Sequence, residues 1–419
     1  MTTEELPALL RRLVLPVYLP TALYATGAAA IVPVVPLVGL HLGLSVPQVA
    51  LLGTVAGLIT VVGPLPTGQL VVRIGERGAM ILGGLVSVVA VVGCLFAAWS
   101  DGNGPAPAWA PALFCAAILL MSLGDLTWDL GRQTYIADEV PVHLRARAMS
   151  LFGGTMRVGR ILGPLFGAGL IAVGGAASAF FVHLVAAVAG LVLITIFVPP
   201  HLRKEIDPDA PDPVDLPTRG EVLRPLLLVG AAVLVLTLVR TNRDLLLPLL
   251  GNEFGHSEAV ISLVFAGSAV VELAFILPAG TMMDRFGRAA VLVPCLALMG
   301  VGYLLAPIAA TVPGFIVISL IFAVGNGLGA GINKTLSADM TPSRNRAGWL
   351  GLWNSFTNAG ALVGPALIAV TGAATVVTAS FATGWLSLAG AGWAAWWLPR
   401  FLPGRARINR RWGPPSASA

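Results

Sequence analysis

The stretch Ala137–Pro164, ADEVPVHLRARAMSLFGGTMRVGRILGP, recurs in the second half of the chain as Ala338–Pro365, ADMTPSRNRAGWLGLWNSFTNAGALVGP. Both copies begin with Ala-Asp, carry Arg-Ala near the middle and end with Gly-x-x-x-Gly-Pro. The offset between the copies is constant, so the two stretches align without a gap. Two homologous halves within one apolar chain are typical of transporters built from internal repeats.

An earlier block of the chain is repeated as well, with a slightly larger offset. Its recurring positions are Pro36, Gly43, Pro66, Gly68, Arg73 and Gly75, which return as Pro248, Gly255, Pro278, Gly280, Arg285 and Gly287. The change of offset requires a short deletion in the second copy. The deletion falls where the connection Ser100–Pro111 of the first half is longer than its counterpart, Thr311–Gly314.

The composition is that of an integral membrane protein. Apolar residues make up 57% of the chain and charged residues 11%, whereas about a quarter of the residues in a soluble domain are charged. The mean hydropathy is +0.88. The net charge of +5 would also suit nucleic acid, but the basic residues lie in short loops between apolar runs. This placement indicates a lipid bilayer, and not nucleic acid, as the partner.

Twelve apolar runs approach the length of about 20 residues that a membrane-spanning helix needs. They lie at roughly 14–40, 46–70, 79–99, 109–137, 148–173, 178–198, 225–250, 258–282, 289–310, 313–337, 347–372 and 376–398. The sequence therefore predicts an all-α membrane protein with about twelve transmembrane helices in two pseudo-symmetric six-helix bundles. The bundles would occupy 1–198 and 225–399. A cytoplasmic linker rich in proline and aspartate, 199–224, joins them, and a cytoplasmic tail follows at 400–419.

Lysine and arginine indicate the orientation, because positively charged loops stay in the cytoplasm. Alternating helices place all the basic loops and both termini on one side, while four connections on the other side contain no lysine or arginine. Those connections are Ser100–Ala110, Gly174–Ser178, Gly251–Glu258 and Thr311–Gly314. The first apolar run is long enough to stay in the bilayer, so we expect no cleavable signal peptide. We expect a multi-pass protein of the bacterial cytoplasmic membrane with both termini in the cytoplasm.

One loop carries a specific motif. The segment Gly280–Arg288, GTMMDRFGR, matches the G-x-x-x-D-R-x-G-R loop of the major facilitator superfamily, and the chain resembles that family over nearly its whole length. The first-half counterpart keeps the glycines and Arg73 but has Val72 where the family usually has aspartate. The resemblance implies alternating access and a cytoplasmic gate, although charges at helix ends are ordinarily solvated anchors. The expected gate residues are Arg73, Asp138, Arg145, Asp284, Arg285, Arg288, Asp339 and Arg346.

The fifth apolar run contains a second motif. Its pattern Gly159-x-x-x-Gly163-Pro164 resembles the antiporter motif of the family, which is typical of proton-coupled exporters. Small residues let helices approach closely, and an internal proline permits a kink. The same pattern returns in the second half, which equally favours ordinary helix packing. The residues predicted to act as hinges are Gly159, Gly163, Pro164, Gly360, Gly364 and Pro365.

Ionisable side chains inside the predicted spans are costly, so they are expected to face a cavity or a partner. At about 1.5 Å per residue, Asp129 lies at the depth of Arg157, and Asp125 lies at the depth of Arg160. We therefore expect two ion pairs between the fourth and fifth helices. In the resembled fold the first, fourth, seventh and tenth helices line a central cavity, and most of the polar residues within spans fall on them.

These residues divide into two predicted roles. We expect a proton to bind Asp125, Glu272 or Asp129 when a carboxylate loses its partner during the cycle, although each charge could instead merely neutralise its neighbour. Glu272 could meet Arg240 or Arg243. The expected substrate-binding residues are Arg132, Arg157, Arg160, Arg240, Arg243, Asp244, Asn326, Asn333, Tyr24 and Trp128. Basic groups outnumber acidic ones within the spans, which favours an anionic or zwitterionic substrate.

The sequence contains neither a Gly-x-Ser-x-Gly elbow nor a Walker-type phosphate loop, and its histidines are scattered. We expect no enzyme activity, no cofactor and no metal site. The leading prediction is a monomeric secondary transporter that exports amphiphilic drugs or metabolites in exchange for protons. The alternatives are a proton-coupled importer of an organic anion and, from another class, a lipid flippase or a membrane-embedded enzyme.

Overall fold

The computed structural model describes residues 13–100, 106–140, 142–199, 223–224, 226–340 and 346–401, and within these ranges the chain forms helices and connections without strands. A π-helical turn precedes the first helix of each half, Val14–Tyr18 and Leu226–Gly230. The helices of the first half are α1 Leu19–Ile31, α2 Val35–His41, α3 Val46–Val62, α4 Pro64–Ala98, α5 Ala110–Glu139, α6 Val142–Gly174 and α7 Ala179–Phe197. Those of the second half are α8 Ala231–Glu253, α9 Glu258–Phe286, α10 Ala289–Leu305, α11 Val312–Leu328, α12 Ile332–Asp339, α13 Arg346–Thr371 and α14 Val376–Phe401.

Nine helical segments within the described residues are long and apolar enough to cross a membrane. The other three predicted spans are also helical. The second span is α3 continued by the start of α4. The eleventh and twelfth spans are α13 and α14, which are rich in tryptophan. The helix α4 covers the end of the second span and all of the third, and Gly75 (φ 76°) bends it between them. A positive φ suits glycine because it has no Cβ. The predicted all-α membrane fold is confirmed.

The first and tenth spans are interrupted helices. The first breaks at Val32–Val34, between α1 and α2, and the tenth breaks between α11 and α12, where Gly331 has a φ of 81°. An interruption leaves backbone N–H and C=O groups without their helical hydrogen bonds at membrane depth. Such a break is tolerated where protein or a water-filled cavity surrounds it. These breaks lie in two of the helices that were expected to carry site residues.

The chain divides into two compact units. Unit 1 comprises Met1–Pro208 and Leu247–Gly267, and unit 2 comprises Asp209–Leu246 and Ser268–Ala419. Each unit holds most of one repeat, but the end of α8 and the start of α9 belong to unit 1. Nearly all of the predicted linker 199–224 and tail 400–419 lies outside the described residues, so the predicted domain boundaries remain predictions.

In unit 1, α1 lies against α6 and α7, and glycines set the distances. A Cβ on Gly159 would lie 2.5 Å from the Cβ of Ala25, and one on Gly163 would collide with the carbonyl oxygen of Thr26. In unit 2, α13 packs on α8 in the same way, because a Cβ on Gly360 would collide with the carbonyl oxygen of Leu234. Both copies of the predicted hinge motif therefore make close helix–helix contacts.

Candidate functional site

A polar cluster lies inside unit 1, where α1, α4 and α5 meet. The hydroxyl of Tyr24 on α1 donates a hydrogen bond to Oδ1 of Asp125 on α5. The Oγ of Ser87 on α4 lies 2.6 Å from the Tyr24 oxygen and 3.3 Å from the same carboxylate oxygen. Tyr24 is 4% exposed and Ser87 is fully buried. Two neutral hydroxyl groups thus hold the carboxyl group of Asp125 in place.

The neighbouring charges on α5 pair with each other. Asp129 accepts a hydrogen bond from Nη2 of Arg132, three residues later. Arg132 is 1% exposed, and its guanidinium carbon lies 5.5–5.7 Å from the ring centroids of Tyr24, Trp128 and Phe152. Aromatic faces attract a desolvated cation at this distance. Within the described residues, Nε and Nη1 of Arg132 have no hydrogen-bond partner.

The predicted ion pairs between the fourth and fifth helices are wrong. Asp125 bonds to Tyr24 and Ser87, and Asp129 bonds to Arg132 of its own helix. The side chains of Arg157 and Arg160 are exposed on α6, and neither forms an ion pair with a described residue. The depth calculation counted residues along each helix and carried no information about which way each helix face points.

An apolar groove of about 540 Å³ lies on unit 1 between α1, α6 and α7. Phe166, Gly169 and Val185 are among its lining residues. At about 100° per residue, Arg157 and Arg160 lie on the side of α6 opposite Phe166 and Gly169. The two arginines therefore point away from this groove, whose walls belong to three membrane-spanning segments.

His183 on α7 was seen in the sequence only as an isolated histidine. It is fully buried, and its ring meets the ring of Tyr24 edge-on at 5.2 Å. Gly27 leaves room for it, since a Cβ there would lie 2.6 Å from Nδ1. Sequence reasoning missed both His183 and Ser87, and a single polar side chain in an otherwise apolar span was the available signal. Tyr24 and Trp128 are core residues of the same cluster, and their part in substrate binding stays a prediction.

A second polar cluster lies in unit 2. Arg243 on α8 is 5% exposed and forms an ion pair with Glu272 on α9, one of the two pairings expected for this glutamate. Nη2 of Arg240 donates to the backbone oxygen of Asn326 at 3.1 Å. Gly329 makes space for this guanidinium, because a Cβ there would lie 2.6 Å from Nη2. The ion pair and this backbone contact join α8 to α9 and α11.

The remaining predicted residues of unit 2 occupy separate positions. Oδ1 of Asn333 accepts a hydrogen bond from Nε1 of Trp353 at 2.8 Å. Asp244 is exposed. Asn242, which sequence reasoning missed, is fully buried and donates to the hydroxyl of Thr383 at 2.9 Å. A Cβ on Gly364 would lie 2.5 Å from Oδ1 of Asn242, so this glycine is a packing partner of a buried amide.

Three predicted gate residues come together at the end of α9. Nε of Arg288 donates to Oδ2 of Asp339 at 2.7 Å, and Nη1 lies 3.9 Å from Oδ1 of Asp284. The hydrogen bond to Asp339 raises the pKa of the Arg288 guanidinium. In the first half the positions of Arg288 and Asp339 are taken by two acids, Glu76 and Asp138. We call the pair of Arg288 and Asp339 the Arg288 lock, and it exists in the second repeat only.

The other predicted gate residues are not part of this contact. Arg73 is exposed beside the bend of α4 at Gly75, and Arg285 and Asp138 are exposed near helix ends. Within the described residues, Arg73 and Arg285 form no ion pair. The side chains of Arg145 and Arg346 lie outside the part of the chain that the structure describes.

Comparisons with known proteins agree with this architecture. Among solved structures, a POT family transporter in complex with a thioalcohol-conjugated peptide has a TM-score of 0.73 at 12% identity, covering 91% of this chain and 96% of that one. A POT family transporter in complex with 5-aminolevulinic acid has a TM-score of 0.73 at 11% identity, covering 91% and 96%. A mutant of peptide transporter POT has a TM-score of 0.70 at 12% identity, covering 92% and 95%. At such identities the likeness shows the fold alone.

Sequence comparison is informative at the level of the family. A search of curated proteins gave no match. The family model described as Major Facilitator Superfamily matches residues 17–242 and again residues 229–417, once for each repeat. Together these matches cover nearly the whole chain. The chain therefore belongs to the Major Facilitator Superfamily, and it is a transporter and not an enzyme.

Proposed function

We propose that this transporter is coupled to protons and that Asp125 is the proton carrier. The supporting observation is that its carboxyl group lies inside a membrane span and is bonded by the neutral hydroxyls of Tyr24 and Ser87. The nearby cation, Arg132, is engaged by Asp129 instead. A hydroxyl can donate to a carboxylate or to the carbonyl oxygen of a protonated acid. The site therefore accommodates both states of Asp125 without losing its hydrogen bonds.

The direction that we propose is export by exchange for protons. Gly159 and Gly163 of the motif press α6 against residues 25–30 of α1, directly after Tyr24. In the second half the same contact exists, but Leu236 and Asn326 occupy the positions equivalent to Tyr24 and Asp125. The second copy of the motif thus lacks an equivalent of the Tyr24–Asp125 pair, which favours a role of the first copy in coupling over packing alone.

The substrate that we propose is a small amphiphilic molecule with an anionic or zwitterionic group. Arg157 and Arg160 are exposed, have no ion-pair partner among the described residues and point away from the apolar groove. The same two arginines favour the second candidate, a proton-coupled importer of an organic anion. The complexes with a peptide conjugate and with 5-aminolevulinic acid, seen in transporters of similar fold, support including such compounds among the substrates tested.

Counterflow in proteoliposomes under an imposed pH gradient tests both the coupling and the direction. The compounds to be tested are short peptides, 5-aminolevulinic acid and anionic and cationic amphiphilic dyes. Accumulation on the acidic side supports antiport, and accumulation on the other side establishes symport, and with it the importer. Accumulation that does not respond to the gradient rules out proton coupling.

Replacing Asp125 identifies the carrier. We expect Asp125→Asn to retain exchange without a gradient and to lose gradient-driven accumulation. Glu272→Gln is the matched variant, because it also removes one carboxylate within a span, but one that is ion-paired with Arg243. If Asp125→Asn still accumulates substrate and Glu272→Gln does not, the carrier is Glu272.

A further inference from the structure

A part of the second repeat belongs to unit 1. The segment Leu247–Gly267 contains the end of α8, its connection to α9 and the first turns of α9. Ala259 of this segment packs against the apolar cluster of the first repeat that includes Leu42 and Phe114. The two repeats are therefore in direct contact at this end of α9.

One polar contact accompanies this packing. Nδ1 of His41, the last residue of α2, lies 3.4 Å from Oε1 of Glu258, the first residue of α9. The side chain of His41 is 54% exposed and that of Glu258 is 20% exposed. The amino end of a long helix favours a negatively charged side chain, and Glu258 occupies this position in α9. The contact is an ion pair only when the imidazole carries a proton.

The location of this contact is opposite to that of the Arg288 lock. The helix α9 has 29 residues, which corresponds to about 43 Å at 1.5 Å per residue. Glu258 stands at its first residue, and Asp284 stands near its other end beside Arg288 and Asp339. The two ends of one spanning helix thus carry separate polar contacts, one at each face of the membrane.

We propose that His41 and Glu258 form the gate contact at the face opposite the Arg288–Asp339 pair, and that this contact closes when His41 is protonated. Alternating access requires each face to open in turn, so the first repeat and the segment Leu247–Gly267 must separate when this face opens. Histidine changes charge between about pH 5 and 8. Acid therefore favours closure of this face, and rising pH releases it.

Few other titratable groups can produce this pH dependence. Among the described residues, α2 has no other charged side chain, and neither α3 nor the turn Ala176–Ser178 that packs against α2 has any. The end of α8 contributes Glu253 and its connection to α9 contributes His256, whose ring meets that of Phe254 edge-on at 6.0 Å. His256 is consequently the natural control. The proposal rests on the family-level transport function and does not depend on Asp125.

Distance measurement between spin labels tests the proposal in the full chain. The free cysteines Cys94, Cys115 and Cys295 are first replaced by alanine, and labels are attached at Leu51→Cys and Asn252→Cys, which are exposed positions of the first and second repeats. The protein is reconstituted in lipid nanodiscs and measured at pH 5 and pH 8. An exposed ion pair contributes about 0.2–1 kcal/mol, so the ratio of long to short distances should rise roughly 1.4- to 5-fold at pH 8.

Variants at the two positions separate this contact from other causes. His41→Arg should keep the short distance at both pH values, and both His41→Ala and Glu258→Gln should abolish the response. The exchanged pair, His41→Glu with Glu258→His, should restore it, and His256→Gln should leave it unchanged. A wild-type distribution that is independent of pH, or a response that survives His41→Ala, overturns the proposal. If His41→Ala does not fold, the arginine variant and the exchanged pair still decide the question.

Discussion

The surroundings of the Asp125 carboxyl group are set by residues of two other helices, α1 and α4. Its carboxyl group accepts hydrogen bonds from Tyr24 and Ser87 and has no direct ion pair among the described residues. Asp129, one helical turn later on the same helix, is instead tied to Arg132. The two carboxyl groups of α5 therefore have different surroundings. Hydroxyl groups contact Asp125, whereas a guanidinium contacts Asp129.

Removing the hydroxyl of Tyr24 should weaken coupling while leaving the fold intact. Tyr24→Phe deletes a hydrogen bond to an acidic group and retains the ring that stacks on Trp128 at 4.8 Å. Hydrogen bonds to charged groups contribute about 1.5–3 kcal/mol, so gradient-driven transport should fall roughly tenfold or more, with an altered pH profile. The measurement is initial rate against pH in proteoliposomes.

Tyr18 provides the matched control for this variant. It is also 4% exposed at the start of the same span, and its hydroxyl donates to the backbone oxygen of Ala148 at 3.4 Å and not to an acid. Tyr18→Phe should leave the pH profile unchanged. Equal profiles for the two phenylalanine variants would show that Tyr24 has no special part in coupling.

The pair between Arg243 and Glu272 should be costly to break from one side. Their side chains are 6% and 16% exposed, so removing one partner leaves a poorly solvated charge. Arg243→Met is expected to lower the free energy of unfolding by about 3–5 kcal/mol. The double variant with Glu272→Met should recover most of this loss, because two apolar side chains of similar volume replace both charges. Thermal and denaturant unfolding in detergent measure both effects, and a double variant less stable than Arg243→Met contradicts the expectation.

At the scale of elements, glycines control how closely helices approach. A methyl group at Gly163 would meet the backbone of α1 at the oxygen of Thr26, and this atom cannot move away as a flexible side chain would. Gly163→Ala is therefore expected to lower the free energy of unfolding by about 1–3 kcal/mol, the usual cost of overpacking. Because α1 carries Tyr24, gradient-driven transport should fall as well.

The same helix offers the control for Gly163. A Cβ added to Gly169 of α6 meets no atom within 4 Å. Gly169→Ala should be neutral or slightly stabilising, since alanine has a higher helix propensity than glycine by up to about 1 kcal/mol. Unfolding of both variants in the same detergent compares them directly. A similar loss in both would mean that helix flexibility, and not the contact with α1, is what Gly163 provides.

At the scale of the whole molecule, the two repeats share a scaffold and differ in chemistry. Both use a glycine contact to bring a helix onto the first span of the repeat. The Tyr24–Asp125 cluster exists in the first repeat only. The Arg288 lock exists in the second repeat only, because the first repeat has Glu76 and Asp138 at the equivalent positions. The residues of these two polar contacts therefore differ between the repeats.

The distribution of arginine predicts an orientation that a fusion experiment can check. Basic residues occupy the loops on the side of both termini, and the opposite connections have none. With an even number of spans, a C-terminal green fluorescent protein should be fluorescent and a C-terminal alkaline phosphatase inactive in bacterial cells. A fusion at Gly255 should give the reverse result, and an active C-terminal phosphatase would refute the predicted sidedness.

Much of the fold could be predicted from local sequence patterns, because apolar runs, repeated stretches and loop motifs each indicate a structural element. Apolar runs of bilayer length predicted the spans, and the repeated stretches Ala137–Pro164 and Ala338–Pro365 predicted two similar halves. The loop Gly280–Arg288 identified the family, and the pairing of Glu272 with an arginine of α8 was anticipated. The break at Gly75 was not, because a single glycine in an apolar run does not reveal its φ angle.

Sequence alone determined the membrane environment, the two-repeat architecture and the family, since these depend on hydropathy, spacing and motif. Which side chains meet was decided only by the tertiary structure. Depth along a helix can be counted from the sequence, but the rotation of each helix about its axis comes from packing against its neighbours. That rotation turned Asp125 towards Tyr24 and Ser87 and left Arg157 and Arg160 exposed. It also seated His183 against Tyr24 and brought His41 to Glu258, residues that are far apart in the chain.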